Sequence, residues 1–335
     1  MLKRILAHCL ILTYNDISVN IIRAAVWGNR VVQYILKRLF MMLVTLFVII
    51  AFTFVLMRSI PGGPFTAEKR LPDRVLKALD AKYHLDDPLL KQFMDYMLGV
   101  LRLDMGPSFS YEGTSVKDLI AKGFPVSARL GAIAVVFLLI VAIPMGLLAA
   151  LRHGRFTDMF LMLLATLGVT IPSFILAMLS LYVFAFRLSW VPTFGLDHWK
   201  GYILPVVTLA GYSIAYITRL MRSSLLEVMN QDYIRTARSK GMSETRVVVR
   251  HALRNALLPV VTVVGPMIAG LLTGSFVIEK IFALPGIGKY FVLSVSNRDY
   301  PMILGTTLFF AVFFVCMIFL VDLMYCVIDP RIKLE

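Results

Sequence analysis

Charge is scarce in this chain of 335 residues: Asp, Glu, Lys and Arg make up only 16% of it, against 59% apolar residues. Soluble domains run nearer a quarter charged. A single soluble core cannot hide so much apolar surface, so lipid is the expected solvent. Cysteine is nearly absent too. Cys9, Cys316 and Cys326 have no metal-ligand spacing and are expected to be buried free thiols. His8, His84, His153, His198 and His251 are scattered and form no zinc or nickel ligand set. No Ser–His pair falls at membrane depth, which argues against an intramembrane protease. A phosphate-cradling Gly-x-x-x-x-Gly-Lys-Ser/Thr loop is missing. The nearest string, Gly286-Ile287-Gly288-Lys289-Tyr290, has Ala283 where the first glycine belongs and Tyr290 where a Mg²⁺-binding hydroxyl belongs. Acids inside the apolar runs reduce to Asp322. An ion-coupled secondary transporter needs several such groups near mid-membrane, so that class is the more distant alternative. Asp322 itself, near the inner end and seven residues before Asp329, is expected to make a structural hydrogen bond or to pair with a basic inner-loop residue.

What the chain does have is apolar runs: 39–57, 132–151, 159–186 with Pro172 inside it, the shorter 203–220, 259–278 and 302–328. About twenty helical residues cross the ~30 Å hydrocarbon layer. These runs lack the alternation of barrel strands, so helices must satisfy the backbone. The expected fold is an all-α integral membrane protein with about six transmembrane helices. With the N-terminus cytoplasmic, the inner segments 1–38, 152–158, 219–258 and 329–335 hold 18 Lys/Arg, and the short outer segments 187–202 and 279–301 hold 5. The positive-inside rule then puts both termini in the cytoplasm. The segment 58–129 is too long for that rule and is expected as a large external loop. Within it, 89–103 reads as an amphipathic helix (Leu90, Phe93, Met94, Met97, Val100, Leu101) packed as a cap on the outer mouth. Residues 1–31 read as an N-terminal extension, interfacial or a dispensable upstream start. Lys3-Arg4 and a short apolar stretch resemble a signal segment, but no cleavage site follows. The net charge of +14 does not point to nucleic acid, because the bases sit in loops rather than in a stripe with exposed aromatics.

The loop 219–258 is the most informative stretch. It concentrates Arg219, Arg222, Arg235, Arg238, Lys240, Arg246, Arg250 and Arg254, opposed by Glu227, Asp232 and Glu244. Asp232 can cap a short helix from Tyr233, and Gly241 suits the left-handed position that ends it. Ser243 can cap a second helix, in which Arg246, Arg250 and Arg254 at i, i+4, i+8 share a face while Ala252, Leu253, Ala256 and Leu257 face the bundle. From pattern alone this is either a docking surface for a partner or a solvated basic loop drawn to anionic lipid.

The string Arg235-Thr236-Ala237-Arg238-Ser239-Lys240-Gly241, followed by Arg250-His251-Ala252-Leu253-Arg254-Asn255-Ala256-Leu257-Leu258-Pro259, resembles the coupling-loop signature of ABC importer permeases. More narrowly it resembles the B-type subunit of the oligopeptide/dipeptide/nickel branch. Arg235 stands where the general family has an acid, and the spacing to Pro259 is longer, as is usual in the peptide branch. The resemblance runs from about Val32 to the C-terminus. It includes 34–39, Ile60-Pro61-Gly62-Gly63-Pro64 (with Gly63 where Asp is common), Leu103-Asp104-Met105-Gly106, Ile171-Pro172-Ser173-Phe174, Ile203-Leu204-Pro205, Leu284-Pro285-Gly286-Ile287-Gly288, Asn297-Arg298-Asp299-Tyr300-Pro301 and Asp329-Pro330-Arg331-Ile332. Residues 1–31 have no counterpart in it, which leaves 32–335 as the transmembrane domain.

The resemblance implies a non-catalytic transport subunit of a bacterial or archaeal cytoplasmic membrane. It implies a sister C-type permease, two ATP-binding subunits and an extracytoplasmic solute-binding protein, with ATP and Mg on the partner chains and no cofactor in this one. Tyr233, Arg235, Thr236, Ala237, Arg238, Lys240 and Gly241 are then the residues expected to meet the ATPase. Arg250, His251, Asn255 and Pro259 are expected to support them. Ala237 is small because a larger side chain would lift the helix from its groove. Peptide is the leading cargo, with nickel or another small solute as the alternative within the family. Ser173, Tyr212, Ser213, Tyr216, Gly270 and Gly274 are candidates for the translocation path, the glycines, with Gly265, serving equally as close-packing positions.

Overall fold

The structure, a computed structural model, describes residues 33, 35–59, 83 and 85–328, with side chains as far as Asp322. The expectations for 1–31 and the motifs at 60–64 and 329–332 lie outside the described residues. The described chain is helical, with no strand among the described residues. Its elements are α1 (Ile35–Ser59), α2 (Leu89–Leu101), α3 (Val116–Leu151), α4 (Phe156–Thr170), α5 (Ser173–Ser180), α6 (Ile203–Met229), α7 (Asp232–Ser239), α8 (Glu244–Val247), α9 (Leu253–Leu272), α10 (Phe276–Ile281), α11 (Ile287–Ser296) and α12 (Tyr300–Ile328). Among the described residues 5 helical stretches are long and apolar enough to cross a membrane, and 6 if one bent pair counts as a span. The fold class is thus the expected all-α integral membrane protein.

The bent pair sharpens the expectation for the long run at 159–186, which carries a break at Pro172–Ser173. Proline disfavours helical ψ in the residue before it and lacks an N–H. Ile171 is accordingly extended, at φ −80° and ψ 120°, and Pro172 becomes the N-cap of α5. The arms Phe156–Thr170 and Ser173–Arg187 meet at 106°. Each arm is about 22 Å long at helical rise, short of the hydrocarbon thickness. The second arm ends in a π-helical turn, Leu181–Arg187.

Two compact units divide the chain: Met1–Ile49 with Phe319–Glu335, and Ile50–Ile318. In the first, Arg38 Nη2 lies 3.1 Å from Asp322 Oδ2, so of the two expectations for Asp322 the pairing with a basic residue is the one met. In the second, α3 is the axis, packed along α6 and against α4, α9 and α11. It begins well before the apolar run at 132, so residues 116–129 belong to the helix and not to the external loop. Ser115 Oγ accepts the Asp118 N–H at 3.1 Å and starts it. Lys117, Asp118, Lys122 and Arg129 hide this segment from a hydropathy reading. Val116, Leu119, Ile120, Gly123, Ser127 and Leu130 still bury one face at helical spacing.

Close approach along α3 depends on glycine. A Cβ at Gly131 would run into the Leu271 carbonyl of α9, and one at Gly146 would lie 2.7 Å from the Thr218 carbonyl of α6. Backbone cannot give way as a side-chain tip can. Gly131→Val is therefore expected to force α3 from α9 and to destabilise the protein by about 3 kcal/mol, the upper range for overpacking. Thermal unfolding of the purified protein in detergent checks this, and an unchanged midpoint would contradict the packing.

The helix expected within 89–103 forms at Leu89–Leu101, but turned differently from its apolar pattern. Phe93 packs edge-on against Phe54 at 5.3 Å between ring centroids, and Tyr96 joins the same cluster. Leu90, Met94 and Leu101 are exposed. Gly99 explains the choice, because its missing Cβ leaves room for the Asp104 carbonyl, 2.8 Å from where that atom would stand. Cys316, expected to be buried, is an exposed free thiol on α12. A spanning helix turns apolar groups outward, and a thiol suits that surface.

Candidate functional site

The basic loop is a short, firmly seated helix with an exposed basic face. Arg219 and Arg222 belong to α6, which runs on to Met229, and Leu253 already begins α9. What remains is α7, a turn, and α8. Gln231, not Asp232, occupies the N-cap, and Asp232 lies in the first turn, where the helix dipole favours an acid. Ile234 and Ala237, three residues apart, are 0% and 6% exposed. They join the core cluster that holds Leu138, Met221, Leu225 and Ala256. The groove that requires a small residue at Ala237 is thus in this chain's own core. Tyr233, Arg235, Thr236, Arg238, Ser239 and Lys240 are exposed.

The turn after α7 closes as the glycine pattern predicts. Gly241 has φ +77°. Its N–H donates to the Arg238 carbonyl at 2.9 Å, and the Met242 N–H to the Ala237 carbonyl at 3.4 Å, the paired bonds of a Schellman motif. Arg238 clamps the turn by donating to both carboxylate oxygens of Glu244, at 2.7 and 3.2 Å. The Asn255 amide donates to the Tyr233 hydroxyl at 2.7 Å, tying α7 to α9. A Cβ at Gly241 would meet nothing within 4 Å, so the demand there is for backbone conformation alone. Gly241→Val is expected to cost about 2 kcal/mol locally, more than Gly241→Ala, since β-branched residues tolerate left-handed φ least. Hydrogen exchange at the Met242 amide reads the opening directly, and equal protection in both variants would refute the argument.

The second helix differs from expectation. Glu244–Val247 passes through a π-helical turn, Val248–Ala252, into α9. It is the first part of a helical stretch that runs on to Leu272 rather than a separate helix. The wider turn lets Val247, Val248 and Ala252 all reach the core. It also takes Arg250 and Arg254 off the straight row with Arg246, although all three are exposed. Ala256 is buried, and Leu253 and Leu257 pack beside it as anticipated. His251 is half-buried on the π-helical turn, and Pro259 is exposed inside α9.

Sequence reasoning missed a polar cluster above this seat. Asp158, 3% exposed in the first turn of α4, receives Arg222 in a fork: Nε to Oδ1 at 2.6 Å and Nη2 to Oδ2 at 2.8 Å. The Gly154 N–H donates to Oδ2 at 3.0 Å, and His153 Nδ1 lies 3.1 Å from the same oxygen. Arg219 Nη2 donates to the Ala165 carbonyl at 3.1 Å. Two of the eight loop bases therefore bind α6 to α4 and are not part of the free face. The available signal was an acid among the few residues 152–158 between two apolar runs, which reads equally well as a helix-dipole partner.

Of the path candidates, Tyr212 and Tyr216 are exposed and stack at 6.4 Å between centroids. Ser173 is exposed at the break before α5, and Gly270 is exposed with open space at its Cβ position. Ser213 faces the core at 8% exposure. Gly274 makes a left-handed turn at φ +77°, packed near Glu279 and Ser127. Gly265 is buried. Other motifs meet far from the loop. The Ser108 hydroxyl donates to buried Asp299, and Ser127 Oγ accepts the Ile287 N–H at 3.0 Å. Among the described residues no His, Cys, Asp and Glu are grouped to hold a metal ion.

An apolar helical bundle with a basic helix seated at one end is the build of a multi-pass membrane permease subunit. Residues 142–334 match the family model described as "Binding-protein-dependent transport system inner membrane component", and residues 31–131 match that of its N-terminal region. The chain belongs to this family of ABC transport permeases, whose members are inner-membrane subunits and not themselves catalysts. It is 50% identical over 303 residues to the dipeptide transport system permease protein DppB of Bacillus subtilis, covering 90% of this chain and 98% of that one. It is 44% identical over 306 residues to the oligopeptide transport system permease protein OppB of Escherichia coli K12, covering 90% and 99%. Among solved structures, an inward-facing form of the MetNI methionine ABC transporter matches with a TM-score of 0.51 at 17% identity, over 64% of this chain and 96% of that one, a likeness of fold.

Proposed function

We propose that this chain is one half of the membrane channel of a peptide importer, paired with a sister permease, fed by an extracytoplasmic binding protein and driven by two ATP-hydrolysing subunits that carry the ATP and Mg. The observation that carries the reading is the seat of α7. Its apolar side is locked into the core by Ile234 and Ala237 while its basic side stays open. A helix held this way moves with the bundle as a rigid body. Closure of an ATPase pair against it tilts the spanning helices and exchanges inward for outward access. The relatives' names, dipeptide and oligopeptide permeases, support peptide as cargo. The loop bases support a cytoplasmic α7 with both termini on the same side. Tyr212, Tyr216, Ser173 and Gly270 are the residues we assign to the path.

The test is uptake of a labelled dipeptide by proteoliposomes holding the assembled complex. Uptake is expected to stop on ATP depletion and to survive an uncoupler, and a cysteine at Ser239 is expected to crosslink to the ATPase subunit. Uptake by the purified chain alone, or labelling of that cysteine from the exterior, would overturn the reading.

A further inference from the structure

The segment that joins the bent pair to α6 turns its aromatic rings outward. Trp190, Phe194 and Trp199 are 62, 73 and 65% exposed, and they include two of the chain's three tryptophans. The loop that carries them is built rather than loose. Ala185, Val191 and Leu196 turn inward, to the core cluster of Ala177, Leu204 and Ala210. The Trp190 N–H donates to the Phe184 carbonyl at 2.9 Å, and the two rings lie 5.7 Å apart between centroids. The Gly195 carbonyl stands where a Cβ on Gly201 would be, so the loop closes tightly on the start of α6. The fold therefore holds these rings out, and an exposed aromatic patch of this kind calls for a cover.

The order of residue types along the chain says what covers it. On the second arm Phe174, Met178, Tyr182 and Phe186, each four residues on from the last, are exposed. This stripe continues into Trp190, Phe194 and Trp199, with exposed Arg187 and Lys200 on either side and Asp197 the one acid between them. Apolar groups, then tryptophan, then cations is the order met on passing from hydrocarbon to lipid headgroups. A protein interface instead gathers its aromatics at the centre and rings them with polar groups. Depth follows from the bend. The Asp158–Arg222 fork sets the start of α4 beside the end of α6 that leads into α7. With α4 running across the layer, its far end lies about 22 Å deeper, most of the way through ~30 Å of hydrocarbon. The second arm leaves at 106°, nearly perpendicular, and gains little further depth. We propose that Ser173–Arg187 lies along the leaflet remote from α7, and that 187–200 anchors it to the bilayer surface, with the indole rings at headgroup level and Arg187 and Lys200 against lipid phosphates. This surface goes beyond the import reading and does not depend on it.

The test is photocrosslinking in nanodiscs of phosphatidylcholine and phosphatidylglycerol that hold the full chain with the subunits that co-purify with it. Each lipid in turn carries a diazirine, either next to the acyl ester or at the end of the acyl chain, and adducts are mapped by peptide mass spectrometry. The ester-proximal probe is expected to mark 188–200 more strongly than the chain-end probe. The opposite preference is expected at Phe160, Leu163 and Leu164, exposed near the middle of α4. Arg187→Gln combined with Lys200→Gln, both at exposed positions, should lower the ratio of phosphatidylglycerol to phosphatidylcholine adducts on 188–200 at least about fivefold, since each cation near an anionic surface attracts it severalfold. Absence of adducts on 188–200 while α4 is marked would mean that protein covers the patch, and would overturn the proposal. A chain-end preference at 188–200, or a lipid ratio indifferent to the double variant, would overturn it too. Uptake is not read in this experiment, so the import reading stands or falls separately.

Discussion

Ala237→Glu is expected to reduce uptake more than about tenfold while leaving the chain inserted and ATP hydrolysis running. The replaced methyl is 6% exposed and packs in the cluster with Ile234, Val247 and Ala252. A carboxylate there loses its hydration inside an apolar cluster, which costs several kcal/mol. Helix α7 has only 8 residues, and Ile234 is then the one buried side chain left to seat it. The expected relief is detachment of α7 rather than unfolding of the bundle, because only Ile234 and Ala237 of α7 are buried. ATP turnover then continues without moving the channel. Uptake and hydrolysis measured on the same proteoliposomes separate the two, with Ala237→Ser as the near-neutral control. Normal uptake by a verified Ala237→Glu complex would remove the docking role.

The second large effect concerns the ion pair above α7. Asp158→Asn is expected to lower stability by about 3 kcal/mol, the lower end for removing one partner of a buried pair. Arg222 then keeps its charge with a neutral amide and the His153 ring, 2.9 Å from Nη2, before it. Its side chain is 23% exposed, so water softens the loss. Adding Arg222→Gln should recover a good part of it, because the stranded charge disappears with its partner. Unfolding midpoints of the two single variants and the double variant complete the cycle. Additive losses would mean that the fork contributes little. The pair lies where α4 meets α6, just before α6 leads into α7, so the single variant should also weaken transmission from α7 to the bent pair. Uptake per ATP hydrolysed reads that separately from stability.

Much of this was legible beforehand because it is local. The C-terminus of α7 needed only Gly241 and the polar run before it. Helix α2 needed only apolar residues at helical spacing. That Asp322 has a polar partner was legible, and which one was not: Arg38 supplies it from the other end of the chain. Other features were hidden because neighbours in space, not in sequence, decide them. The first turns of α3 look polar until α9 and α11 cover Gly131, Gly123 and Leu119. The face of α2 was misread because Gly99 and the aromatic contact of Phe93 outweigh the leucine stripe. Arg222 counted as one more loop base until Asp158 appeared beside it, 64 residues away along the chain.

Composition and local pattern alone determined that this chain lives in lipid, that it is helical, and that it carries one short basic helix closed by a glycine. Those properties follow from burial preference, backbone satisfaction and the conformational freedom of single residues, each readable within a few turns. Only the tertiary structure decided that Ala237 faces inward, that Pro172 turns a span into two arms at 106°, and that Arg222 serves the bundle rather than a partner. Each of these rests on long-range packing, where a contact distance settles which face is buried and which charge is free.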